Sequence, residues 1–300
     1  MMTNSKNNKT VRDLIKVTAG YFEEKGVESA RLNAERLLAD VLGFSRMDLF
    51  LQADRPVFGD ELDRYRDLVR RRALGEPLQT IIGMTEFYSR PFKVLPGVFI
   101  PRPETEHLVE AATKLLAPED HRLLAPVALE VGCGTGIISI SLACEIPQLV
   151  MHASDINPAA IELAERNARS LEVESRVNFH PGSRFDPFPA QLLGKVDLLV
   201  SNPPYVRRDE IDGLSVEVAK HDPREALDGG PDGLVFYRAL AKDMSRWVRP
   251  GGHIIVEIGD DQAEDVSKIF EASGGTDIQV IKDYSDRDRV VSASLTPQGG

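Results

Sequence analysis

Sulfur and large rings are scarce in this chain: its 300 residues include two cysteines, one tryptophan and six histidines. Cys133 and Cys144 fall in neither a zinc-ligand nor a disulfide spacing, which excludes a metal cluster or a cross-linked framework as the organising device. What they leave is two reduced thiols in a packed domain. No apolar run approaches the roughly 18 residues that a bilayer-crossing helix requires. The first residues, Met1 to Lys9, are polar and lack the apolar core of a secretion signal. A disordered lead-in, no membrane contact and a cytoplasmic location are therefore expected. Neither a Gly-x-Gly-x-x-Gly fingerprint nor a Gly-Lys-Ser/Thr triphosphate loop occurs, and there is no internal repeat.

What is present is charge, unevenly spread. The net charge is −11, yet residues 1–75 hold 14 Lys and Arg against 12 Asp and Glu, while residues 76–300 hold 22 against 35. A body that acidic repels phosphate backbones, so DNA is not an expected partner. It suits a basic protein surface instead. The one basic concentration is Arg70-Arg71-Arg72 with Arg64 and Arg66, read first as the solvated face of a helix.

Periodicity divides the chain in three. Residues 1–75 read as a small helical domain for substrate recognition: Val11, Leu14, Ile15, Phe22 and then Leu32, Leu37, Leu38 and Val41 recur at helical spacing, with Ser29 as cap of the second helix and Ser45 opening a third. Residues 76–103, with Thr80-Ile81-Ile82, Glu86-Phe87-Tyr88 and Phe92-Lys93-Val94 between Gly and Pro, read as a β-hairpin linker. From residue 104 to 300, strand and helix alternate, which predicts an α/β fold with a doubly wound, mostly parallel sheet.

Two strand ends carry the chemistry. After Val127 to Val131 comes Gly132-Cys133-Gly134-Thr135-Gly136, where glycines let backbone approach a ligand. The next strand ends at Asp155, placed to accept the hydroxyls of a ribose; alone, this leaves NAD and S-adenosylmethionine as candidates, or a helix cap. After Val196 to Ser201 stands Asn202-Pro203-Pro204-Tyr205, a stiff tetrapeptide offering one side-chain amide, free carbonyls and a flat ring. That set suits a planar, neutral nitrogen acceptor.

Together these residues resemble class I S-adenosylmethionine-dependent methyltransferases that act on amide or exocyclic amino nitrogens. Pro101-Arg102-Pro103-Glu104-Thr105-Glu106, Ala226-Leu227-Asp228-Gly229-Gly230, Pro250-Gly251-Gly252, Glu257-Ile258-Gly259 and Asp288-Arg289-Val290-Val291 extend the resemblance to the HemK/PrmC group, the peptide chain release factor glutamine methyltransferases. The likeness spans nearly the whole chain. Glu130 stands where that group has Asp, and His221-Asp222-Pro223 where it has Glu-Pro. The resemblance implies a Rossmann-like, seven-stranded sheet and S-adenosyl-L-methionine held by Gly132, Cys133, Gly134, Thr135, Gly136, Asp155, Asn202 and, at the adenine, Ser183 or Arg184. It makes Asn202, Pro203 and Tyr205 catalytic, with Pro204 completing the substrate clamp; Arg102 and Glu104, for their part, read first as an internal ion pair that fixes the hairpin beside the site. No metal is expected, and the enzyme is expected to act as a monomer on release factors. The rival acceptors are a ribosomal-protein glutamine and a DNA adenine amino group; the rival class is a cofactor-binding scaffold without catalysis.

Overall fold

Thr10 opens the first helix because its hydroxyl accepts the Asp13 N–H while the Asp13 carboxylate accepts the Thr10 N–H, which satisfies two donors that a helix start leaves unpaired. Ser45 and Asp48 repeat the device. The structure is a computed structural model that describes residues 9–116 and 125–295. The expected lead-in, apart from Lys9, lies outside the described residues. Contacts divide the chain between Gly83 and Met84 into two compact units.

The first unit contains α1 (Val11–Glu24), α2 (Ala30–Leu42), α3 (Arg46–Leu51), α4 (Gly59–Ala73) and α5 (Leu78–Ile82), with β1 (Lys9–Thr10) paired to β2 (Pro56–Val57). Their inward faces, Val11, Phe22, Leu37, Leu38, Leu68 and Ile81 among them, form one core. Two expectations fail here. Ser29 caps nothing: its backbone is left-handed (φ 49°), which turns its hydroxyl away from the first-turn N–H groups. Residues 78–82 form a helix, not a strand, and Leu78 and Ile81 belong to the helical core, so this unit runs eight residues past the expected end at 75. The arginine cluster is largely neutralised in place: Arg64 pairs with Asp40, Arg66 with Asp63, Arg70 with Asp67 and Arg71 with Glu76, while Arg72 is buried on Asn33.

The second unit begins with the hairpin β3 (Met84–Phe87) and β4 (Arg90–Lys93). It is not a free linker. Phe87 and Phe92 are buried in this unit's core, and the Asn167 side chain bonds both the N–H and the carbonyl of Lys93. A 3-10 turn, Pro103–Thr105, leads into α6 (Glu106–Leu116). Then follow β5 (Val127–Val131), α7 (Ile137–Glu145), β6 (Val150–Asp155), α8 (Pro158–Ser170), β7 (Val177–Pro181), β8 (Val196–Ser201), α9 (Val216–His221), α10 (Val235–Trp247), β9 (Val248–Glu257), α11 (Ala263–Ala272), β10 (Gly275–Lys282) and β11 (Asp288–Leu295).

Seven of these strands form one sheet in the order β10-β11-β9-β8-β5-β6-β7, parallel except where β11 runs against both neighbours. Both faces are covered, so alternate residues of a strand serve different cores. Leu129, Val131 and Leu199 meet α10 and α11; Ala128, Leu198 and Val200 meet α6 and α7. Strand order reverses between β5 and β8, and the crevice beyond their carboxyl ends is where such sheets bind ligands. The glycine turn and the Asn202 tetrapeptide leave those two ends side by side, where the Ser201 hydroxyl donates to the Val131 carbonyl at 2.6 Å.

Candidate active site

The glycines of the turn have two different jobs. Gly132, Gly134 and Gly136 are all left-handed, at φ 79°, 53° and 79°. A Cβ on Gly132 or Gly134 would meet nothing within 4 Å, whereas one on Gly136 would lie 2.9 Å from Ala164 Cβ and from Ile140 Cδ1. The first two therefore face open space and the third lets α7 and α8 close on each other. Cys133 points inward among Ala153, Ile161 and Ala164.

Asp155 fastens the turn from the next strand: one carboxylate oxygen accepts the Gly134 N–H at 2.8 Å, and the other accepts the Asn157 N–H at 2.8 Å. Burial raises its pKa, against the pull of those N–H groups. It does not cap α8. Asn157 does, accepting from Ala159 N. Beside Asp155, Gly182 N–H donates to the Asp155 carbonyl and the Ser154 hydroxyl donates to the Arg184 carbonyl, so the backbone of the 182–184 turn adjoins the strand tip. Arg184, Phe185 and Asp186 also line a recess of about 130 Å³ with Ala239, Lys242 and Asp243 of α10.

Glu130 is completely buried. One oxygen accepts both the N–H and the hydroxyl of Ser139 on α7, while Oε1 has no hydrogen-bond partner among the described residues. Burial pushes its carboxyl up to about 8. A protonated or ligand-bonded carboxyl is the consequence at neutral pH.

The tetrapeptide is held at several points. Pro203 is buried; Asn202, Pro204 and Tyr205 are half-buried. Asn202 Nδ2 donates to Thr105 Oγ1 at 3.1 Å, which leaves its Oδ1 free to accept. Among the described residues no backbone donor takes the Pro203 carbonyl. Gln262 Nε2 donates to the Tyr205 carbonyl at 3.0 Å, and Val206 exchanges backbone bonds with Leu227 and Gly229. A Cβ on Gly229 would lie 2.8 Å from Tyr205 Cα, and one on Gly233 2.6 Å from the Tyr205 carbonyl, which explains the glycines of that segment. The Tyr205 hydroxyl faces Glu257 Oε1 at 3.5 Å, and burial raises its pKa. Tyr205 thus has its ring, not its hydroxyl, to offer an acceptor.

Arg102 does not pair with Glu104. It donates to Asp222 Oδ2 at 2.5 Å, and Asp222 Oδ1 accepts the Ile100 N–H, so residues from two distant loops lock together. Sequence reasoning missed Thr105, Gln262, Glu257 and Asp222 as supports of the tetrapeptide and its surroundings. Their partners lie 52 to 120 residues away, and only the resemblance of the segments containing Thr105, Asp222 and Glu257 pointed near them.

Known proteins match this arrangement along its length. The model of the PrmC N-terminal domain matches residues 13–83, and that of the methyltransferase small domain residues 90–239. A release factor glutamine methyltransferase of Geobacter sulfurreducens is 41% identical over 95% of this chain and 97% of its own; that of Moorella thermoacetica is 41% identical over 93% and 96%. Among solved structures, the hMettl16 catalytic domain with the MAT2A 3'UTR hairpin 6 aligns with TM-score 0.54 over 77% of this chain and 82% of that one at 12% identity. A methyltransferase from Pyrococcus furiosus aligns with TM-score 0.50 over 78% and 98% at 16%. Those two likenesses show the fold. With relatives at 41% identity covering both units, and a methyltransferase domain laid over the crevice at β5 and β8, the chain belongs to the release factor glutamine methyltransferase family.

Proposed function

We propose that this protein methylates the side-chain amide nitrogen of the glutamine in the Gly-Gly-Gln motif of a peptide chain release factor, with S-adenosyl-L-methionine as donor. The observation that carries it is Asn202: an amide whose nitrogen is already engaged by Thr105 keeps its oxygen free to accept, at the end of the strand that adjoins the open glycine turn.

The residues fit the donor. Gly132 and Gly134 leave a cradle that a Cβ would fill, Asp155 lies at the adjoining strand tip with acceptor capacity remaining, and Glu130 Oε1 is buried and unpartnered among the described residues. Gly132 to Thr135 and Asp155 would hold it, with Gly136 acting through helix packing and Ser183 or Arg184 closest to the adenine. Bound there, it supplies a methyl made electrophilic by a sulfonium.

The chain's own task is to present the acceptor. An amide nitrogen is a poor nucleophile because its lone pair is shared with the carbonyl. Asn202 Oδ1 and the Pro203 carbonyl accept hydrogen bonds from the substrate NH2, turn the lone pair toward the methyl and stabilise positive charge as it grows on nitrogen. Pro204 stiffens the clamp and the Tyr205 ring lies along the amide. The nitrogen, once charged, releases its proton to water, so no side chain has to serve as base. Release factors meet ribosomal RNA, and a basic surface there suits the acidic body of this enzyme. The helical unit is the proposed means of choosing the protein, the enzyme a cytoplasmic monomer.

The test is to supply labelled donor with a release factor, a ribosomal protein or DNA in parallel, and to locate the methyl by mass spectrometry. Transfer to the Gly-Gly-Gln glutamine alone is expected; transfer to either rival instead refutes the reading. Asn202→Ala should keep donor affinity by calorimetry and lose about 100-fold or more in kcat. Turnover within about threefold of wild type, below 1 kcal/mol, removes Asn202 from its role.

A further inference from the structure

Behind Asn202 and Tyr205 lies a buried polar cluster that the clamp itself does not explain. Thr105, at the end of the 3-10 turn, is fully buried, and so is Glu257, the last residue of β9. Glu257 Oε1 lies 3.5 Å from the Tyr205 hydroxyl and its Oε2 has no hydrogen-bond partner among the described residues, while the neighbouring Thr105 hydroxyl favours the charged carboxylate. Such a carboxyl is costly to bury, so a well-packed apolar residue would serve the core better.

The geometry gives it another use. A threonine hydroxyl has one hydrogen and two lone pairs. Toward Asn202 it accepts, because Asn202 Nδ2 is the donor at 3.1 Å. Its hydrogen is then left to turn toward the neighbouring Glu257 carboxyl, whose Oε2 is buried and otherwise without a partner among the described residues. Were that hydrogen turned to Asn202 instead, the amide would flip, and its NH2, which cannot accept, would face the substrate. We propose that Thr105 and Glu257 are positioning residues that fix which end of the Asn202 amide meets the acceptor. Glu257 sets the direction of the Thr105 hydroxyl, and Thr105 sets the Asn202 amide; the same carboxyl anchors the Tyr205 hydroxyl. This rests on the proposed reading of Asn202 as the acceptor's clamp.

The charged and titratable groups around Glu257 include Glu104 beside Thr105, Tyr205 from the loop after β8, Tyr237 from α10, whose hydroxyl donates to the Glu257 carbonyl, and Arg289 from β11. Burial pushes the Glu257 carboxyl up to about 7. When Glu257 takes a proton it becomes a donor, and Thr105 loses its reason to keep its hydrogen away from Asn202. In wild type kcat is therefore expected to rise with pH as Glu257 gives up that proton.

The experiment compares Thr105→Val, Thr105→Ser and Glu257→Gln in the full-length enzyme. Thr105→Val keeps shape and removes the hydroxyl. It should lose about tenfold or more in kcat, with KM for the release factor and donor affinity within about twofold; Thr105→Ser should stay within about threefold of wild type. Glu257→Gln should flatten the pH dependence of kcat. In the free protein, 15N-labelled Asn202 should show a side-chain NH2 proton slowed in exchange by its bond to Thr105, and Thr105→Val should abolish that protection. Wild-type kcat in Thr105→Val, or an Asn202 NH2 signal that does not change, overturns the proposal. If Thr105→Val does not fold, a Thr105→Ser kcat reduced as far as that of Glu257→Gln, or one shared pH profile for Glu257→Gln and wild type, overturns it as well. Should wild type methylate no release factor, the proposed function fails, while the Asn202 NH2 signal still decides whether Thr105 holds the amide.

Discussion

Gly134 and Gly136, two residues apart in one turn, allow folding and ligand binding to be separated with the same substitution. Alanine at either has to adopt a left-handed backbone, at φ 53° or 79°, which costs about 1–2 kcal/mol. At Gly134 the added methyl enters open space, and the N–H bonded to Asp155 is retained. At Gly136 it lies 2.9 Å from two carbons of α7 and α8, a contact that real Cβ atoms do not show, and overpacking adds about 1–3 kcal/mol. Gly136→Ala should therefore lose roughly 2–5 kcal/mol of stability, with each kcal/mol lowering Tm by about 2–4 °C in a domain of this size. Gly134→Ala should lose no more than about 2 kcal/mol but weaken S-adenosylhomocysteine at least tenfold, or about 1.4 kcal/mol. Urea denaturation gives the first quantity and titration calorimetry the second. The reasoning is refuted if Gly134→Ala binds as wild type does, or if Gly136→Ala is within 1 kcal/mol of wild type.

Two further outcomes follow from buried carboxyls. Glu130 has its carboxyl raised from the ordinary 4.5 to about 8, so the folded state holds a proton that the unfolded state has released; its contribution is fully present below pH 4.5 and lost as pH rises to about 8, at about 1.4 kcal/mol per unit. Glu130→Gln, with nothing to titrate, should gain on wild type steadily over that window in denaturation midpoints; a constant difference between the two would remove burial as the cause. Arg102→Ala leaves the Asp222 carboxylate buried without its cation and should cost about 3 kcal/mol, at the lower end for a buried pair because Arg102 itself reaches solvent. A loss under 1 kcal/mol would show that Asp222 is already neutral without it.

The sheet was legible because period and punctuation agree: β5, β6 and β8 end where the glycines, Asp155 and Asn202 begin. Residues 78–82 were misread because five residues with a Thr and two Ile fit a strand and a single helical turn equally well, and the choice is made by Leu78 and Ile81 reaching the helical core. Ser29 carries the right side chain for a cap and the wrong backbone, which composition does not encode. The tetrapeptide was visible, while its supports were not: Thr105 reads as one polar residue in a charged stretch, and its link to Asn202, 97 residues on, exists only in three dimensions. For Arg102 the nearer acid was the natural partner in sequence, but the one at 120 residues' distance is completely buried and needs the cation more.

One thiol gains meaning from where it sits. Cys133 lies in the middle of the glycine turn, and a sulfur there would be the strongest nucleophile near an electrophilic methyl. Its side chain is turned into the packing of Ala153, Ile161 and Ala164, and burial pushes the thiol well above its ordinary pKa. Only a thiolate attacks at a useful rate. The turn proposed to hold the donor is in this way protected from alkylation at its own thiol, which on that reading leaves the methyl for the slower but positioned nitrogen of the acceptor.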